Sequence, residues 1–298
     1  MPSLKEVRNR ITSVSSTQQI TSAMKMVSAA KLRRAQDAIT RLRPYSQKLR
    51  EMLENVSTGS DSLSDNEYAS TREIKNVLIV VFTSNRGLCG AFNTNSIRLA
   101  RKLITEKYSN LPDNKIHILT IGKKGGDVFS KLTYVAAGNG NHLFEKMSFE
   151  ITSDLATTVM AGFVSGKYDK VELVYNQFRN AVLQVATAET FLPISKAVST
   201  TKSTKTKTET STNKEYLFAP SKEEIIKDLI PKTLKSQFYK ALLDTNAAEH
   251  GARMTSMQKA TDNAKELIKE LKLTYNKARQ AMITKEILEI VGGAEALN

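Results

Sequence analysis

The sequence has no tryptophan, one cysteine and three histidines among its 298 residues. With Cys89 alone, a disulfide scaffold is excluded and the chain reads as one from a reducing compartment. So few His and Cys also leave a zinc site of that ligand type little to draw on. No run of about 18 apolar residues occurs, which excludes a membrane-spanning helix. Aromatic residues make up only 6% and are not interleaved with arginine, the pattern that stacking on single-stranded nucleic acid requires. Positive charge, in contrast, is plentiful: 44 Lys and Arg face 30 Asp and Glu, a net charge of +14. Such a surplus serves solubility, or it attracts nucleic acid, an anionic membrane surface or an acidic protein. Hydrophobic residues at 40% and a mean hydropathy of -0.33 are ordinary for a folded protein of one or two domains.

Three zones separate by pattern. From Leu4 to about Val56 residues step by three and four: Leu4, Val7, Ile11, Val14, then Gln18, Thr21, Lys25, Ser28, then Leu32, Ala35, Ile39, Leu42, Ser46, Leu49, Leu53 and Val56. This heptad stripe predicts a coiled-coil helix, apolar at both ends and polar at its centre. Pro44 is expected to kink it or remove one hydrogen bond. Unbroken, it would form a rod of roughly 80 Å at about 1.5 Å per residue, too long for an ordinary globular domain to cover. The C-terminal zone opens with a capping box at Ser221 and Glu224. Pro231 is expected to break or bend this helix, and Gly292-Gly293 to stop it. Between them Ala260, Ala264, Leu267, Leu271, Thr274, Ala278, Ala281 and Leu288 fall near one register. Neither helix can bury its stripe alone. An antiparallel pair within the chain is the economical solution, and a homodimeric coiled coil is the alternative.

The middle zone alternates strands and helices. Apolar runs at Asn76–Thr83, Lys115–Ile121 and Val171–Tyr175 predict strands, with helices near Asn93–Lys107 and Ser148–Ser165. This is the pattern of an α/β layer with largely parallel strands. Gln184–Ile194, and Glu215–Phe218, could add strands. Ser57–Asp65 and Ser199–Asn213 are polar and lack core-forming residues, as expected of exposed joints or insertions.

Sites for chemistry are scarce. The strand ending at Thr83 runs into Ser84-Asn85-Arg86-Gly87-Leu88-Cys89-Gly90, a place where α/β folds bind phosphate. Its glycine spacing matches neither a dinucleotide fingerprint nor a Walker A loop, so it reads as a structural turn. Gly122-Lys123-Lys124-Gly125-Gly126 reads as a basic turn. Cys89 has no evident histidine partner, and His117 and His250 sit in strand and helix patterns rather than as general bases. No spacing commits a pair of carboxylates to acid–base work. Met1–Arg10 is amphipathic and basic, but its register continues into the rod and Glu6 is acidic. It therefore reads as mature structure and not as a targeting segment.

Three blocks, in order along the chain, carry a specific resemblance. They are Ile20–Lys31 (ITSAMKMVSAAK), Ser84–Gly90 (SNRGLCG), and Ala260–Ala264 through Tyr275–Glu286 (ATDNA … YNKARQAMITKE). In these the chain resembles the gamma subunits of F-type ATP synthases, the central stalk family. The resemblance implies a fold of mixed α/β class: a long antiparallel coiled coil of N- and C-terminal helices plus a Rossmann-like α/β domain. The expected divisions are 1–56, 75–220 with an insertion at 199–213, and 221–298.

The resemblance further implies a non-catalytic rotor that couples proton-driven rotation of a c-subunit ring to nucleotide chemistry on beta subunits. Its implied partners are an alternating alpha and beta hexamer, an epsilon subunit and the c ring. It implies no cofactor, no nucleic acid, and contact with the membrane only through the complex, at the cytoplasmic face of a bacterial inner membrane. Met24, Lys31, Arg33 and Arg34 would lie near an acidic loop of beta. Arg279, Gln280 and Thr284 would meet upper beta loops, and Ile287, Leu288, Ile290 and Val291 would form an apolar bearing tip. Residues 199–213 depart from the compact family pattern. The cysteine pair of the chloroplast redox switch is missing. Residues 1–56 hold 11 Lys and Arg against four Asp and Glu, half the surplus of the whole chain, and they read as the face turned toward acidic loops. A basic coiled-coil protein that binds nucleic acid is the alternative reading.

Deleting residues 199–213 is expected to spare assembly, because the segment has nothing with which to build a core. Recovery of the intact complex by affinity purification checks this.

Overall fold

The protein is described as a computed structural model covering residues 3–57, 66–70, 72–194 and 221–295. The expectations for residues 58–65, 199–213 and 215–218 lie outside the described residues. Two long helices, α1 (Leu4–Ser57) and α5 (Lys222–Glu295), flank the α/β part. Between them come β1 (Val77–Phe82), α2 (Phe92–Lys107), β2 (Ile116–Ile121), α3 (Lys123–Phe129), β3 (Val135–Asn139), α4 (Phe149–Val164), β4 (Lys170–Phe178) and β5 (Gln184–Leu192). The chain divides into two compact units. One joins residues 1–30 to residues 253–298, and the other holds residues 31–252.

The first unit is a helix pair. Arg8 of α1 reaches the Tyr275 hydroxyl of α5 at 3.3 Å, and Thr21 meets Thr261 at 2.8 Å. Thirteen residues forward on α1 therefore match fourteen backward on α5, so the pair is antiparallel and intramolecular. The stripe read from spacing is the one buried: Val7, Thr21 and Ser28 are buried, and Leu4, Ile11, Val14, Gln18 and Lys25 are half-buried. Its polar centre is satisfied inside the chain. The Thr21 hydroxyl donates to the Gln18 carbonyl and the Ser28 hydroxyl to the Met24 carbonyl, at 3.0 and 2.8 Å. On α5 the facing residues are Met257, Thr261 and Ala264, with Leu271, Tyr275 and Ala278 half-buried; Thr274 and Ala281 of the expected register are exposed.

The second unit is a three-layer α/β structure. Its sheet has the order β3-β2-β1-β4-β5, parallel except for the β4–β5 hairpin. Alternation along each strand divides the core. Leu78, Val80 and Phe82 of β1 face α4 and α5, where they meet Phe163, Ile230, Leu234 and Phe238. Val77, Ile79 and Val81 face α2 through Ala100, Leu103 and Ile104. A buried carboxylate pins the second face, where Glu172 accepts a 2.6 Å bond from the Tyr108 hydroxyl and is flanked by Lys107 and Lys170. In this unit α1 and α5 also touch, at Ser46 and Ser236.

Both prolines expected to interrupt helices lie inside them. A helical proline costs about 3 kcal/mol. Ile226, Ile230, Leu234 and Phe238 around Pro231 are each at most 2% exposed, and burying such side chains returns about 1.5–3 kcal/mol apiece. The carbonyls that lose a donor, on Thr40 and Lys227, belong to exposed residues that water can reach. Nor do Gly292 and Gly293 stop α5, which continues to Glu295. A glycine costs only about 1 kcal/mol in a helix that is already propagating. The expected basic turn at residues 122–126 opens α3, and β3 was not foreseen because Val-Ala-Ala-Gly-Asn lacks a strand signature.

From Ala241 to Glu249 every residue of α5 is buried, including Asp244, Asn246 and Glu249. Burial pushes the Asp244 carboxyl up to about 6. Lys240, Arg43 and Arg179 oppose the shift and Glu189 adds to it. Because the folded chain holds this proton more tightly than the unfolded one, stability falls as pH rises from about 4 through about 6. Stability of the parent relative to Asp244→Asn should therefore drop by about 1 kcal/mol between pH 5 and pH 7.5. Urea denaturation of both proteins at the two pH values measures this.

Candidate functional site

The crevice beyond β1 and β4, where the strand order reverses, is where an open α/β sheet normally takes a ligand. Here the chain fills it. The Asn93 carbonyl oxygen accepts the Ser84 N–H at 2.9 Å, and the Asn93 amide donates to the Ser84 hydroxyl and to Cys89 Sγ. Asn85 Oδ1 takes the Lys123 N–H, Asn141 Oδ1 the Gly122 N–H, and the Thr83 hydroxyl the Gly125 N–H, at 2.9–3.0 Å. These backbone donors are the kind that would cradle a phosphate, and each already has a partner. Gly122 is needed for the close approach: its φ is +111°, and a Cβ would fall 2.2 Å from the Thr83 carbonyl oxygen. Leu88 adopts φ of 61°, which turns its own side chain outward and leaves Cys89 and Phe92 buried. Those two pack on Ala248 and Ala252 of α5. The loop is thus a structural turn seated on the long helix.

Residues expected to meet other chains lie on helix surfaces. In the second unit Lys31, Arg33 and Arg34 are exposed. Arg34 borders an open groove lined also by Asp37, Ala38, Arg41, Leu42, Tyr45 and Tyr239. Its floor is aromatic and aliphatic and its rim carries two guanidinium groups; sequence reading did not find it, because Tyr239 comes from the other end of the chain. In the first unit Met24 is half-buried, and Arg279, Gln280 and Thr284 are exposed. Met24 and Arg279 are not brought together. The register places them about 20 residues apart along the pair, or roughly 30 Å at 1.5 Å per residue.

α1 begins at Leu4, so its cover runs out near Ala278, and every residue from Arg279 to Gly293 is exposed. Within that overhang Ile287, Leu288, Ile290 and Val291 are 51–72% exposed. Four large apolar side chains exposed on one short helical stretch form an apolar patch of the kind that marks interaction surfaces.

A family model described as ATP synthase matches residues 3–297. The ATP synthase gamma chain of Cytophaga hutchinsonii is 57% identical over 300 residues, with 100% of both chains covered. The chain belongs to the ATP synthase gamma-chain family. The gamma chain of Flavobacterium johnsoniae is 55% identical, again over 100% of both chains. Among solved structures, a chain of the Euglena gracilis mitochondrial ATP synthase (OSCP/F1/c-ring) superposes with a TM-score of 0.68 at 24% identity, covering 99% of this chain and 94% of that one. A chain of the Tetrahymena thermophila mitochondrial ATP synthase (central stalk/c-ring) gives 0.56 at 24% identity, covering 81% and 99%. At that identity these two agree with the family in fold. A gamma chain is a subunit of a complex, and no helix among the described residues is long and apolar enough to cross a membrane. None of these findings supports the nucleic-acid reading.

Asn93→Ala is expected to destabilise the protein by about 2 kcal/mol, since it strips partners from the buried Ser84 and from Cys89. Chemical denaturation of the purified chain measures the loss.

Proposed function

We propose that the chain is the rotating shaft of a bacterial F1F0 ATP synthase. It carries rotation of a c-subunit ring into a hexamer of alternating alpha and beta subunits, whose beta sites make or hydrolyse ATP. The observation that carries the reading is the overhang of α5, from Arg279 to Gly293, with its uncovered apolar side chains. An apolar tip inside an apolar collar is attracted without direction, so it can turn at little cost, whereas fixed hydrogen bonds would hold it at one angle. Below the tip, Arg279, Gln280 and Thr284 face upper beta loops. Met24, Lys31, Arg33 and Arg34 face an acidic beta loop, with the groove beside Arg34 offering cationic rim and apolar floor together.

The subunit is non-catalytic. Support comes from the crevice at the sheet's switch point, whose backbone donors are engaged by Asn85, Asn93, Asn141 and Thr83. An epsilon subunit and the c ring complete its partners. It lies peripherally at the cytoplasmic face of the inner membrane, attached through the complex.

Co-expression with the alpha and beta subunits of the same organism tests the reading. A stable, ATP-hydrolysing complex containing one copy of this chain is expected. Failure to recover the chain with the hexamer overturns the proposal. Met24→Lys adds a second fixed charge to a half-buried position beside Lys25, and is expected to lower proton pumping per ATP several-fold while assembly is retained. Fluorescence quenching in inverted vesicles, set against the hydrolysis rate, reads this ratio.

A further inference from the structure

Beyond the core that packs β1 on Ile230, Leu234 and Phe238, the sheet in the second unit meets α5 at two further places. The first is the turn after β1, where Cys89 and Phe92 lie against Ala248 and Ala252, with Phe178 at the edge of the cluster. The second is the β4–β5 hairpin, whose backbone at Ala181 lies over Gly251. A Cβ on Gly251 would sit 3.2 Å from the Ala181 carbonyl oxygen and 3.4 Å from its Cα, so an alanine there already presses the hairpin outward. Each side of the grip is stiffened by its own hydrogen bonds. Asn180 Oδ1 accepts the N–H groups of Val182 and Leu183 at 2.9 and 2.6 Å, and the Gln184 amide donates to the Ala181 carbonyl at 3.0 Å. Asn93 and Ser84 lock the opposite turn.

The gripped face of α5 is made of Ala248, Gly251 and Ala252. Long side chains in contact can change rotamer and let two bodies slide by fractions of an ångström; alanine and glycine have no rotamer to change. At Gly251 backbone therefore meets the Ala181 backbone, and a close-packed contact of that kind transmits strain rather than absorbing it.

We propose that the Ser84–Asn93 turn and the β4–β5 hairpin form a two-sided torsional clamp that locks the sheet to α5, with Gly251 as its positioning residue. The proposal rests on the shaft reading above. Torque that passes from the sheet to the helix crosses this contact together with the core at Ile230, Leu234 and Phe238, so its stiffness contributes to how much twist is stored between the two.

The test uses the alpha–beta hexamer assembled with the full chain. A bead is attached through Lys131→Cys, an exposed position on the sheet unit, while the native Cys89 is buried. Angular fluctuation of the bead during the pauses of ATP-driven rotation reports the torsional stiffness of its link to the shaft. Gly251→Leu is expected to broaden that fluctuation several-fold at an unchanged hydrolysis rate, and Gly251→Ala to broaden it less. A merely structural role for Gly251 would lower yield or melting temperature without widening the fluctuation in the molecules that assemble. Fluctuations equal to the parent's in Gly251→Leu, or in Gly251→Ala if the leucine variant does not assemble, overturn the clamp. A parent complex that hydrolyses ATP without rotating the bead overturns the shaft reading instead.

Discussion

A stripe of side chains recurring every three and four residues cannot be buried by the helix that carries it, and in this chain two such stripes depend on one another. The seam between α1 and α5 is intramolecular and antiparallel, as the Arg8–Tyr275 and Thr21–Thr261 contacts require. Its chemistry is uneven. In the first unit it buries Val7 together with Thr21 and Ser28. Those hydroxyls return their hydrogen bonds to carbonyls one turn earlier, so a polar seam need not leave a donor unpaired. The seam stops beside the start of α1, and beyond it α5 carries the exposed apolar side chains of Ile287, Leu288, Ile290 and Val291.

The α/β unit has the strand order of a ligand-binding sheet, and the backbone donors of Ser84, Gly122, Lys123 and Gly125 at its strand ends are already bonded within the chain. Its switch-point crevice holds the Ser84–Asn93 turn, anchored by asparagine side chains and seated on small residues of α5. The all-round burial of α5 from Ala241 to Glu249 follows from the same arrangement, and it carries a cost in charge. Asp244 is held among Lys240, Arg43, Arg179 and Glu189, and its carboxyl keeps a proton to about pH 6.

Much of this was legible beforehand. The heptad positions from Leu4 to Leu53 are buried or half-buried, the runs at residues 76–83, 115–121 and 184–194 each contain a strand, and the run at 171–175 lies within β4. Local signals were weakest where packing outweighed them. Pro231 did not break its helix, Gly292 and Gly293 did not stop α5, and α3 and β3 went unseen in a glycine-rich stretch. The exposed candidates Lys31, Arg33, Arg34, Arg279, Gln280 and Thr284 could be named from motif, and the overhang could not. It depends on where one helix runs out beside the other.

By itself the sequence determined the periodicities: a helix stripe of period 3.5 at each end, alternating apolar runs between them, and a surplus of positive charge concentrated in the first helix. These are local properties, set by how side chains are spaced along a backbone of fixed geometry. Tertiary structure alone decided which stripe met which, and that Gly251 would lie under the Ala181 backbone. It also decided that backbone donors of phosphate-type turns would be spent on asparagine side chains up to 38 residues away. Those outcomes depend on contacts between residues far apart in the chain, and hydrophobic burial, being without direction, leaves them to be settled by shape.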